Sequence, residues 1–142
     1  MSRWKVLAAI GGMAVALVAT PATPAAAAAY PTAYNTKTQY LTSAPEDHMP
    51  MSCVERRLFL AEGSYDWHQH LQDYAKLIRS GFQLGEGWYN LKDCFDPGTG
   101  IYYHTTWLTP ENPSWEQVHT NRKIWLTKGG NITWGSSLTP LF

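Results

Sequence analysis

Leu60-Ala61-Glu62-Gly63-Ser64-Tyr65-Asp66-Trp67-His68 decides how the chain is read, because its pattern returns at Leu84-Gly85-Glu86-Gly87-Trp88-Tyr89-Asn90-Leu91-Lys92. A worn third copy stands at Lys128-Gly129-Gly130-Asn131-Ile132-Thr133-Trp134. In each copy an apolar run reaches a glycine and resumes with apolar residues two and four positions on: Tyr65 and Trp67, Tyr89 and Leu91, Ile132 and Trp134. Glycine supplies the positive φ of a tight turn, and a period of two marks a strand with one buried face. The stretch therefore predicts three β-hairpins with glycine turns and those six side chains inside.

Working outward, Val54 to Ala61 reads as the strand entering the first turn, and Phe82 to Leu84 with Trp88 to Phe95 as the second hairpin, closed by the turn sequence Asp96-Pro97-Gly98. Ile101 to Leu108 is rich in β-branched and aromatic residues, and Pro110 and Pro113 end it because proline cannot continue a ladder. Trp115 to Thr120 and Lys123 to Thr127 read as strands or one bent strand leading to the third turn. One window conflicts with this pattern. Trp67, Leu71, Tyr74 and Ile78 fall at helical spacing, with Ser64 placed as an N-cap and Gly81 just past the end. Weighed against the repeat, the window predicts a strand through about Gln69 and then a short helix over 71–79. The expected fold is all-β: a single small antiparallel β-sandwich or barrel over residues 51–142, with one disulfide.

The N-terminus carries Arg3 and Lys5, an apolar stretch from Val6 to Ala19 and a Pro/Ala-rich segment ending at Ala29. This is the grammar of a secretory signal peptide over residues 1–29, and the apolar centre falls short of the roughly 20 residues that a spanning helix needs. The protein is therefore expected to be extracellular, with no membrane association after signal cleavage. Residues 30–50, polar and broken by Pro31, Pro45 and Pro50, read as a flexible arm with one edge strand from Thr36 to Thr42. Of 11 basic side chains, loss of Arg3 and Lys5 leaves 9 against 11 acidic ones. This weakly negative balance argues against nucleic acid and anionic membranes as partners. Cys53 and Cys94, an even count in an exported chain, predict one disulfide.

The chemistry-bearing residue types assemble into no reactive pattern. His68 and His70 share a strand face and would hold a metal if His104 or His119 supplied a third ligand. The pair alone reads as a solvated face, and no metal or cofactor is expected. Ser64 and Ser80 lack a nucleophile elbow, and Glu62 and Glu86 stand in turns where a solvated carboxylate is ordinary, so no catalytic residue is assigned. The aromatic load is unusual at 7 Trp, 8 Tyr and 4 Phe. Alternation places Trp88 opposite Tyr89 and Leu91, and Tyr102 opposite Ile101 and Tyr103. With Trp115, these form the expected exposed binding residues. Two functions from different classes follow. One is a secreted non-catalytic binding module for an extracellular carbohydrate or cell-wall polymer. The other is a secreted inhibitor or interaction domain presenting a loop or edge strand to another protein.

Overall fold

The computed structural model describes residues 33 to 142, which form eight β-strands, and alternation of inward and outward residues is plainest in Gly63–Leu71, Gly87–Gly98 and Ile101–Pro110. The signal peptide assigned to residues 1–29 lies outside the described residues. The strands are β1 (Ala33–Leu41), β2 (Ser52–Leu60), β3 (Gly63–Leu71), β4 (Tyr74–Leu84), β5 (Gly87–Gly98), β6 (Ile101–Pro110), β7 (Val118–Ile124) and β8 (Gly130–Pro140). They form two four-stranded antiparallel sheets, ordered β1-β8-β3-β4 and β2-β5-β6-β7, which pack face to face as a sandwich.

The six side chains expected inside are inside: Tyr65, Trp67, Tyr89, Leu91, Ile132 and Trp134 are all buried. The turns that precede them are not hairpins. β2 lies in one sheet and β3 in the other, and the same holds for β4 with β5 and for β7 with β8, so each repeat marks a corner where the chain crosses between layers. A corner satisfies the pattern that suggested a hairpin, since the apolar residues on both sides of the glycine face one interlayer core. Gly63 and Gly130 adopt φ of 155° and 153° at these corners, values that side chains with a Cβ rarely reach. The shared tyrosine locks two of them: Tyr65 Oη donates to the Ala61 carbonyl at 2.6 Å, and Tyr89 Oη to the Gly85 carbonyl at 2.6 Å. The motif Leu-x-Glu-Gly-x-Tyr is thus a tyrosine-fastened crossover, related in logic to the tyrosine corner of other sandwiches. Burial pushes the Tyr89 hydroxyl up to about 12, so it stays a donor at any physiological pH.

The helix expected over 71–79 is absent. β3 continues to Leu71, Gln72 turns the chain at φ 54°, and Tyr74 opens β4. Gln72 is held there by its N–H to the Thr133 carbonyl (2.7 Å) and by its side-chain oxygen accepting from Thr133 N–H (2.8 Å). The helical spacing arises from strand alternation interrupted twice. The β3–β4 register slips on either side of Trp67, which shifts the phase of β4 and turns Ile78 toward the core beside Trp67. The Thr36–Thr42 edge strand is present as β1, which pairs along its whole length with β8, so the polar arm belongs to the sandwich from Ala33 onward. The region from Trp115 to Thr127 holds one strand, β7, with Trp115 in the loop before it.

The interior is divided in two. One apolar cluster is centred on Trp67, Leu91, Leu108 and Leu138, and the other on Phe95, Tyr102 and Trp134. Between them runs a polar layer to which four strands contribute at inward positions: Gln69 after Trp67, Asp93 between Leu91 and Phe95, His104 and Thr106 between Tyr102 and Leu108, Ser136 between Trp134 and Leu138.

Candidate binding surface

The polar layer is the densest group of reactive residue types and the first place to look for chemistry. Asp93 Oδ1 accepts from His104 Nε2 (2.8 Å) and Thr106 Oγ1 (2.6 Å), while Oδ2 accepts from Asn35 Nδ2 (3.0 Å) and Ser136 Oγ (2.6 Å). A carboxylate only accepts, which places the imidazole proton on Nε2. Gln69 donates to Thr106 Oγ1 at 2.8 Å and ties β3 to β6 across the layer. Asp93, His104, Thr106, Gln69 and Ser136 are all fully buried, so no substrate reaches them. The layer is a structural network that satisfies a buried carboxylate with four donors.

The histidines do not converge. His68 and His70 occupy outward positions on β3, and His70 Nε2 meets Ser137 Oγ at 2.6 Å. His104 points into the core, and His119 lies on the outer side of the other sheet, at an outward position of β7. Among the described residues no three His, Cys, Asp or Glu side chains are placed to hold a metal ion. Desolvation, with His68 nearby, holds the His70 imidazole below its usual range. Ser80 donates to Asp66 Oδ1 (3.1 Å) and Ser64 accepts from Gln83 (2.9 Å), so both hydroxyls serve local strand contacts.

The three aromatic residues expected to form one exposed face are separated by the structure. Trp88 is outward and 43% exposed, as alternation along β5 requires. Tyr102 is buried at 2% and donates to the Thr42 carbonyl at 2.8 Å, so it is no surface residue. The phase of β6 is set by its register: Leu108 pairs with Leu91 and Tyr102 with Pro97, both inward on β5, which sends Ile101, Tyr103 and Trp107 outward instead. Trp115 is 40% exposed but stands elsewhere, capping an end of the core. Its ring stacks on Tyr89 (6.3 Å, 29°) and lies so close over the second corner that a Cβ added at Gly85 would sit 2.6 Å from it.

Register assembles a different surface on the outer side of the β2-β5-β6-β7 sheet. Phe59 pairs with Trp88, and their rings meet edge to face at 5.4 Å. Arg57, one step along β2, lays its guanidinium over the Trp88 ring at 3.9 Å and is held by Glu111 through two bonds of 2.5 and 3.0 Å. That pair raises the Arg57 guanidinium and lowers the Glu111 carboxyl from their ordinary values, chiefly through their mutual hydrogen bond. Asn90 donates to Glu55 at 2.8 Å in the next positions. Four residues beyond Trp88, Lys92 pairs with Trp107 and stands over its ring at 5.7 Å. At ~3.4 Å per residue this puts Trp107 about 14 Å along the strand direction from Trp88. Cys53 and Cys94 pair directly across β2 and β5 on the same side and are disulfide-bonded, which fastens the surface. Phe59, Arg57 and Trp107 escape a reading based on single strands. The available signal was the outward parity of Trp88 carried through the register, which needs the pairing of β2 and β6 with β5.

No protein family, no curated protein and no solved structure matches this chain.

Proposed function

We propose that this chain is a secreted, non-catalytic binding module that holds an extracellular polysaccharide on the outer face of the β2-β5-β6-β7 sheet. The observation that carries the reading is the alternation, on one disulfide-fastened face, of aromatic rings with hydrogen-bonding groups: Phe59 and Trp88, then Arg57 and Asn90, then Lys92 and Trp107. Rings stack on the apolar faces of sugars while the amide and charged groups meet hydroxyls. Among the described residues, the densest cluster of catalytic residue types is closed to solvent, which supports a binding role over a reaction. The disulfide fits an oxidising compartment, and among the described residues no helix is long and apolar enough to cross a membrane.

Each ring contributes about 0.5–1.5 kcal/mol beyond burial, so two or three give weak affinity for a monosaccharide and useful retention only on a polymer. Retention of the purified protein on insoluble chitin, cellulose and peptidoglycan tests this, with Trp88→Ala and Trp107→Ala beside it. The expected result is retention on one polymer that both substitutions reduce. Retention on none, or retention indifferent to both, rejects the reading. One observation favours a protein partner: the guanidinium of Arg57 covers a face of Trp88, and a paired Trp and Arg is the composition of a protein hot spot. That alternative gains weight if no polymer is retained.

A further inference from the structure

The two sheets close differently at their two sides. β1 faces β2, and with β3 facing β6 through the Gln69 bond to the His104 carbonyl (3.2 Å), the edge strands β4 and β7 bound the opposite side. This side is open: from Tyr74 to Gly81 β4 is exposed at nearly every position, on both faces. Register shows which side chains look into the opening. Lys76 pairs with inward Gln69, and Arg122 pairs with inward His104, so each edge strand carries a cation in register with an inward residue. Tyr74 pairs with Leu71 beside Lys76 and interacts electrostatically with Arg122, which places the two edges opposite each other.

Arg122 is half-buried and has no hydrogen-bond or ion-pair partner among the described residues, and its Nε is shielded from solvent with nothing to donate to. Desolvation lowers its pKa, a sign of a cation held without a counterion. Asp93, the buried carboxylate of the interior, already accepts from four donors and is not available to it. A guanidinium kept partly out of water without an acceptor is costly, and its fork geometry matches a carboxylate, sulfate or phosphate group.

We infer that the opening between β4 and β7 is an oxyanion-binding site in which Arg122 supplies the forked donor and Lys76 the second positive charge. It is separate from the Trp88 face, which lies on the outer side of the sheet, and does not depend on the function proposed there. The ligand chemistry is a carboxylate, sulfate or phosphate, free or carried on a larger molecule.

The full exported protein, labelled with 15N, is titrated at constant ionic strength with sodium phosphate, sulfate and acetate, and separately with an oligogalacturonate. Backbone amide resonances of β4 and β7 are the readout in every variant, with the Arg122 Nε–Hε resonance added where Arg122 is present. The expected result is a saturable shift with at least one of these anions, weakened tenfold or more in Arg122→Gln and several-fold in Lys76→Gln. Lys128→Gln, which removes an exposed charge from the β7–β8 connection, should bind as the parent does. Saturation by the free anions assigns a small-anion site, and saturation by the oligogalacturonate alone assigns an acidic polymer. If Arg122→Gln fails to fold, Arg122→Lys replaces it and should weaken binding without abolishing it, because the fork is lost and the charge kept. No saturable shift in the parent, or equal weakening in Lys128→Gln, overturns the assignment.

Discussion

Replacing Asp93 by Ala tests the polar layer as the structural centre of the sandwich. The carboxylate accepts four hydrogen bonds, and the substitution removes all of their acceptors at once. The donors are not equally harmed. Asn35 Nδ2 retains the Val54 and Leu91 carbonyls at 2.9 and 3.0 Å, and the Thr106 and Ser136 hydroxyls can rotate. His104 Nε2 has no second acceptor, and its Nδ1 is already without a partner. One or two donors left unsatisfied at about 1–3 kcal/mol each, together with a small cavity, give an expected loss of about 3–5 kcal/mol. Against a typical total of about 5–15 kcal/mol, that is a large fraction of the stability of the fold. Urea unfolding followed by tryptophan fluorescence measures it, with Trp134 5.6 Å from His104 as a local reporter. Asp93→Asn should cost a comparable amount, since its amide would set a donor against two others. An Asp93→Ala protein within about 1 kcal/mol of the parent would refute the argument.

Three further outcomes are expected. Reducing Cys53–Cys94, which closes a loop with a sequence separation of 41, should cost about 4 kcal/mol by loop entropy, and the intact mass of exported protein should start near Tyr30 and rise by about two units on reduction. A mass unchanged by reductant contradicts the first part, and a start at Met1 the second. Stability should also fall with pH below about 6.5: His70 has a depressed pKa in the fold, so the unfolded chain binds the extra proton first, and the contribution, complete above the unfolded value, is lost through the window beneath it. His70→Gln should flatten the profile of unfolding free energy against pH below about 6.5, and an unaltered profile would remove His70 as a cause.

The repeated Leu-x-Glu-Gly-x-Tyr stretch, with its period of two, determined by itself that the protein is all-β, that Tyr65, Trp67, Tyr89 and Leu91 are buried, and that Trp88 faces outward, because side-chain alternation is a local property of the strand. The disulfide was equally legible, since a chain with two cysteines leaves one internal pairing. Pairing between strands is not local, and what depends on it was decided only by the tertiary structure. The glycine corners join different sheets because β2 finds β5 as its neighbour and not β3. Slipped register around Trp67, invisible along one strand, turned a helical spacing into β4. Tyr102 went inside because Leu108 and Tyr102 had to match Leu91 and Pro97, and the same match brought Trp107 to the surface. Asp93, His104 and Ser136 each stand at an inward position that alternation alone marks, yet an inward polar residue is affordable only when its partners arrive from other strands, and those strands are brought together by the packing of the two sheets.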